Sequence, residues 1–307
     1  MKIIVGQKTK IDFLDKVIKQ REVKHAYLFY GPENVGKSTI ALLFAQAILC
    51  SGHDFETIPC GECGDCRLIE NSNHPNLYLN DSTSSVSVEE IRNLINFLDL
   101  RPYQSNKKAV IITHAERMTN QAANAFLKSL EEPPTNSTII MTTENPDKLL
   151  PTIVSRTQAV QFGTISQREI MEHLINKEGI DQKKALEISQ FSSGKIGQAI
   201  SISREMDTFR DEQKFLTEFD LIISGDSIYE KVKSAEKYGT EKEVLEKRFD
   251  SMELFYQQRI LRMEKMNEGL KIIEILDKIA QSREYLNKNV NPRLVWENIV
   301  LTKGIDD

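Results

Sequence analysis

Short apolar runs at Ala26–Tyr30, Leu77–Asn80, 109–113 and 139–143 are each bounded by turn-forming residues, and each reads as a buried strand. Between them, over 38–49, 88–100 and 122–130, apolar positions recur at three- and four-residue spacing, the pattern of helices with one buried face. That alternation predicts crossover connections, a largely parallel sheet, and ligands at the carboxyl ends of its strands. After Pro151 the pattern changes. No proline falls within 152–291, a stretch with frequent Glu, Lys, Leu, Ile and Gln, so an all-helical second half is predicted. ISQREIMEHLINKEG and QKKALEISQFSSG, within 165–199, read as short helices closing near glycines. Longer helical patterns begin at Met206 and include 241–265, without a sustained heptad.

Length and charge narrow the class. At 307 residues the chain fits about two or three domains. Its 40% hydrophobic and 28% charged composition excludes collagen, low-complexity disorder and a disulfide mini-protein. Forty basic against 45 acidic residues leave a net charge of −5, so any DNA contact must come from a local patch. No apolar stretch reaches the roughly 20 residues needed to span a bilayer, and MKIIVGQKTKIDFLDK lacks the apolar core of a signal peptide, so a cytoplasmic chain without a membrane role is expected.

The strongest chemistry follows the first strand. Gly31, Pro32, Glu33, Asn34, Val35, Gly36, Lys37 and Ser38 fit GxxxxGK[ST], entered from AYLFY and left through Thr39 into an apolar helix. Glycines permit a loop whose N–H groups surround phosphate oxygens; Lys37 is placed to reach the terminal phosphates, and Ser38 to hold Mg²⁺. The expected ligand is ATP or ADP with Mg²⁺. Next comes CGECGDC. Cys60, Cys63 and Cys66, with Cys50 at the end of the preceding helix, supply four thiolates, enough to close a structural zinc site. An iron–sulfur cluster and free or redox thiols are the alternatives. His53 and His74 read as surface residues near this cluster, and Lys107 and Lys108 as exposed lysines before a strand.

A cysteine knuckle directly after the P-loop helix, followed by HPNLYLN at 74–80, AANAFLKSLEEPP at 122–134 and LLPTIVSRT at 149–157, resembles the bacterial DNA polymerase III clamp-loader family of AAA+ proteins. Val5, Gly6 and Gln7 match its VGQ near the start, and Thr143 its polar γ-phosphate sensor. The resemblance is dense over about the first 160 residues. It implies an α/β P-loop core with a parallel sheet and a zinc knuckle at 50–66 (residues 1–162), an all-helical lid (163–204) and an all-helical collar (205–307). It also implies partners: gamma/tau motor and delta subunits in a hetero-pentamer, the sliding clamp, and primer–template DNA within the assembly.

The family has an ATP-hydrolysing gamma/tau branch and a delta-prime branch that usually lacks turnover. Motors end the strand before the AANA helix in Asp-Glu, which order the Mg²⁺ shell and activate water; counting back from Asn124 puts Thr113 and His114 there, with Glu116 two residues on. Gly197 occupies the place of the lid arginine, with Lys195 two positions away. The pattern implies the delta-prime branch, binding nucleotide with little or no hydrolysis, while Arg156 serves as an arginine finger on a neighbour's ATP. The alternatives are a gamma/tau-type motor, favoured by the complete P-loop, and a free-standing zinc-containing adaptor with a relic P-loop.

Overall fold

The computed structural model describes residues 5–52, 59–81, 84–103, 107–261 and 266–301. The chain divides into two compact units, joined at Ser201–Ile202. In chain order the first contains α1 (Lys8–Lys19), β1 (Ala26–Tyr30), α2 (Lys37–Leu49), α3 (Gly64–Glu70), β2 (Leu77–Asn80), α4 (Val88–Asp99), β3 (Lys108–Ile112), α5 (Asn120–Glu131), β4 (Ser137–Thr143), α6 (Pro151–Val154) and β5 (Gln158–Gln161). After β5 come α7 (Gln167–Asn176), α8 (Gln182–Phe191) and α9 (Ile196–Arg204).

The five strands lie in the order β2-β3-β4-β1-β5 and every pairing is parallel, so the predicted α/β class is borne out. Side chains alternate across the sheet with period two. Tyr27 and Phe29 of β1 pack with Leu14 of α1, Phe44 of α2 and Ile69 of α3. Ala26 and Leu28 face the other way, with Ile91 and Leu94 of α4 and Phe126 of α5. Helices thus cover both faces, as a buried parallel sheet requires. Ser87 starts α4 with a capping box: its hydroxyl accepts from the Glu90 amide while the Glu90 carboxylate accepts from the Ser87 amide. Local sequence and global packing therefore set this boundary together.

Two expectations fail at side chains near the sheet's β2–β3 edge. Lys108 is buried, with its ammonium 4.6 Å from the centre of the Phe97 ring, and donates to the Phe97 and Leu100 carbonyls, so it caps the end of α4. His74 is also buried, with Nε2 3.1 Å from Asp65 Oδ1 and Nδ1 accepting from the Asn76 amide. It ties α3 to the start of β2. His53 lies outside the described residues.

The second unit is helical: α10 (Met206–Ser224), α11 (Ile228–Tyr238), α12 (Lys242–Leu261), α13 (Met266–Asn287) and α14 (Pro292–Leu301). Fully buried Trp296 is its centre, packed against Phe215, Phe219 and Tyr238. Its indole N–H donates to the Ser234 hydroxyl at 2.9 Å. No helix among the described residues is long and apolar enough to cross a membrane.

Because an indole N–H left unpaired in a core costs about 1–3 kcal/mol, Ser234→Ala is expected to lower stability by that amount. Urea unfolding followed on the chain's single tryptophan measures it; an unchanged midpoint would contradict the packing described.

Candidate nucleotide site and thiolate cluster

At the carboxyl end of β1 the chain turns at once. Gly31 has φ +138°, and a β-carbon there would stand 2.0 Å from the Phe162 carbonyl oxygen, so glycine is required for the loop to begin this close to the end of β5. The Gly31 amide donates to the Thr143 carbonyl at 3.2 Å. The loop continues through Asn34 (φ 60°) to Gly36 (φ 98°), which opens α2 with no side-chain cap. The N-cap of this 13-residue helix offers its first amides no side-chain acceptor, and the space where a β-carbon at Gly36 would point is open among the described residues. Uncapped amides beside open space fit the phosphate oxygens of a nucleotide. Val35 is buried beneath the loop, while Pro32, Glu33 and Ser38 are exposed and Thr39 is half-buried.

Lys37 is buried, and its ammonium donates to the Gly31 and Pro32 carbonyls, both at 2.7 Å. Burial pushes its pKa below the usual lysine range; the charges of Glu144, Glu116 and Glu33 oppose that fall, and Lys195 adds to it. The loop's lysine therefore lies within the field of three carboxylates and of the cation just before α9. Gly197 in α9 approaches the loop directly: its amide donates to the Asn34 carbonyl at 2.7 Å, and a β-carbon there would be 3.0 Å from that oxygen. A longer side chain at this position would crowd the loop backbone. Gln7 donates to the Gly163 carbonyl, and Gly6 packs against Ile165, so Val5–Gln7 borders the segment leaving β5.

The neighbouring strand ends supply the remaining groups. Thr113, one residue beyond β3, spends its hydroxyl on Asp81 Oδ1 at 2.6 Å, at the end of β2. It brings no charge of its own. Thr143, at the end of β4, is buried and donates to the Asn145 carbonyl at 3.1 Å. Burial opposes ionisation of Glu116, but the neighbouring Thr143 hydroxyl, the residue's own amide and His114 outweigh it and hold the pKa below the ordinary glutamate value. Asp81 and Glu144 belong to no motif; their one mark in the sequence is that each is the first residue past a strand.

Arg156 bonds α5 and α6. Its guanidinium pairs with Glu131, the last residue of α5, at 2.7 Å, and donates to the Thr152 carbonyl at 2.9 Å. Its side chain remains 34% exposed and that of Glu131 49%.

The four cysteines converge. Cys50 and Cys60 sulfurs are 3.5 Å apart, Cys50 and Cys63 3.8 Å, Cys60 and Cys66 3.9 Å, and all four lie within 4.8 Å of one another. With Zn–S bonds of about 2.3 Å, the sulfurs of a tetrahedral site stand about 3.8 Å apart, so the cluster fits zinc. Burial pushes the Cys50 and Cys66 thiols up. At Cys63 burial is overcome by hydrogen bonds from the Cys66 amide and Ser51, which bring the thiol down to about 6.

Residues 6–166 match the family described as "DNA polymerase III, delta subunit". The chain is 32% identical over 215 residues to the DNA polymerase III subunit tau/gamma of Haemophilus influenzae, a match covering 68% of this chain and 31% of that protein. It is likewise 32% identical over 206 residues to the DNA polymerase III subunit delta' of Bacillus subtilis, covering 67% of this chain and 61% of the relative. These alignments thus span between about a third and three fifths of the relatives' length. In fold, the chain is similar to a DNA polymerase III gamma subunit-related protein from Thermotoga maritima, with TM-score 0.51, 23% identity, and coverage of 95% and 97% of the two chains. A family match over residues 6–166, carried by a P-loop on a parallel sheet, places this chain in the DNA polymerase III delta subunit family.

Proposed function

We propose that this chain is a delta-prime-like subunit of the DNA polymerase III clamp loader. In this reading it assembles with gamma/tau motor and delta subunits into a hetero-pentamer that loads the sliding clamp on primed DNA. Residues 1–162 form the nucleotide-binding core, 163–204 the lid and 205–307 the collar. Gly31–Ser38 binds ATP or ADP with Mg²⁺, flanked by Thr39, Thr143 and Val5–Gln7, and turnover is slight or absent. The observation that carries this is the mismatch within one site: a complete phosphate loop stands beside a β3 end whose Thr113 is uncharged and already bonded to Asp81. Without a carboxylate there, nothing at that position activates water. The same feature disfavours a gamma/tau-type motor.

Arg156 then acts on a neighbour's nucleotide. An exposed ion pair such as Arg156–Glu131 is worth only about 0–1 kcal/mol, so a phosphate on an adjoining subunit competes for the guanidinium at small cost. A positioned arginine of this kind supports phosphoryl transfer by about 10³–10⁵-fold in favourable systems. In the reconstituted loader, Arg156→Ala is expected to depress DNA-stimulated ATPase activity at the site it serves, while the chain's metal content and urea midpoint stay unchanged. An undiminished rate would remove the finger assignment.

Cys50, Cys60, Cys63 and Cys66 hold a structural zinc in this proposal, pinning the end of α2 to α3. Elemental analysis of protein purified without chelators should find one zinc per chain and none in Cys66→Ser, whose P-loop unit should unfold at lower temperature. Iron, or no metal, in the unaltered protein would decide against zinc.

A further inference from the structure

Thr113 leaves the end of β3 without a carboxylate, yet negative charge is concentrated one turn further on. His114 follows β3 in a left-handed conformation (φ 51°) and is the residue before the 3₁₀ turn Ala115–Arg117, which carries Glu116; Glu144 is the first residue past β4. A ring nitrogen of His114 and a carboxylate oxygen from each glutamate all lie within 4.8 Å of one another, with His114 Nδ1 3.5 Å from Glu116 Oε1. Two hydrogen-bonded segments, the turn after β3 and the end of β4, therefore present three potential metal ligands to one point. The His114 amide bonds the Thr142 hydroxyl, the Arg117 amide bonds the His114 carbonyl, and Thr143 bonds Asn145.

A second observation points to a ligand at this point. The Glu116 side chain is only 10% exposed, and its Oε2 is buried without a hydrogen-bond partner. A buried carboxylate oxygen is ordinarily paired, so Oε2 has capacity for a ligand. The Lys37 ammonium donates instead to the Gly31 and Pro32 carbonyls.

We propose that His114, Glu116 and Glu144 bind a divalent cation beside the P-loop. One imidazole nitrogen and two carboxylates form an oxygen-rich, partly nitrogenous set suited to Mn²⁺, and to Mg²⁺ with more waters retained. The site lies beyond Thr113, so it substitutes a displaced cation position for the one a carboxylate at the β3 end would have organised. Contact between this cation and bound phosphates rests on the nucleotide reading above; cation binding itself does not.

The test is titration of the full-length, zinc-replete chain with Mn²⁺ alone, free Mn²⁺ being read by electron paramagnetic resonance, with ADP binding measured separately by calorimetry. One Mn²⁺ per chain is expected, weakened more than about tenfold by Glu116→Gln. Glu144→Gln, an exposed change that leaves the core untouched, should weaken it as well. Lys37→Ala should abolish ADP binding and retain the Mn²⁺ site. ADP binding without a stoichiometric Mn²⁺ site, or Mn²⁺ binding indifferent to both glutamate substitutions, would overturn the cation site and leave the nucleotide reading intact. A Mn²⁺ site in a chain that does not bind ADP would support the cation site while refuting the nucleotide reading.

Discussion

Pairing of β1 on both sides, with β4 and with β5 in parallel register, is the constraint from which the P-loop unit follows. Parallel pairing aligns the carboxyl ends of neighbouring strands, so the loop after Tyr30, the polar end of β4 and the segment after β5 meet at one edge. Gly31 is the point where this becomes an atomic requirement. Its φ of +138° and its closeness to the Phe162 carbonyl leave no room for a β-carbon, and the Gly31 amide is joined to the carbonyl of Thr143. From this start the loop reaches Gly36, the cap before α2, and the helix leads to Cys50, where the thiolate cluster gathers.

In the proposed reading, the chemistry at that edge separates binding from hydrolysis. Uncapped helix amides and a buried lysine are retained, which suits phosphate. Negative charge lies away from the β3 end: Thr113 turns to Asp81, while Glu116 and Glu144 stand in the field of Lys37. Gly197 of α9 lies against this loop, its amide hydrogen-bonded to the Asn34 carbonyl. Close contact between α9 and the loop leaves little room for a long side chain at residue 197.

Much of this was legible from residues alone. The strands Ala26–Tyr30 and Leu77–Asn80 coincide with their apolar runs, and β3 and β4 differ only at their ends. The edge strand β5 was not legible, since Gln158, Ala159 and Gln161 are exposed and only Val160 carries an apolar signal. Nor was α3, because the Gly and Cys positions of CGECGDC mask its helical character until Cys63 accepts from the Cys66 amide as its cap. Side-chain partners were the least readable level. Lys108 looks like surface charge, yet its ammonium reaches two carbonyls at the end of α4. His74 looks like a loop histidine but holds Asp65. Glu131, joined to Arg156 across 25 positions, leaves no local signature at all.

The central claim is that this chain holds nucleotide at Lys37 without consuming it. Incubating excess isolated chain with radiolabelled ATP and Mg²⁺, then quenching and separating the nucleotides, tests it most directly. The account predicts ATP retained by the protein and recovered intact, with retention lost in Lys37→Ala. Sustained formation of ADP and phosphate by the isolated chain, abolished by the same substitution, would contradict it.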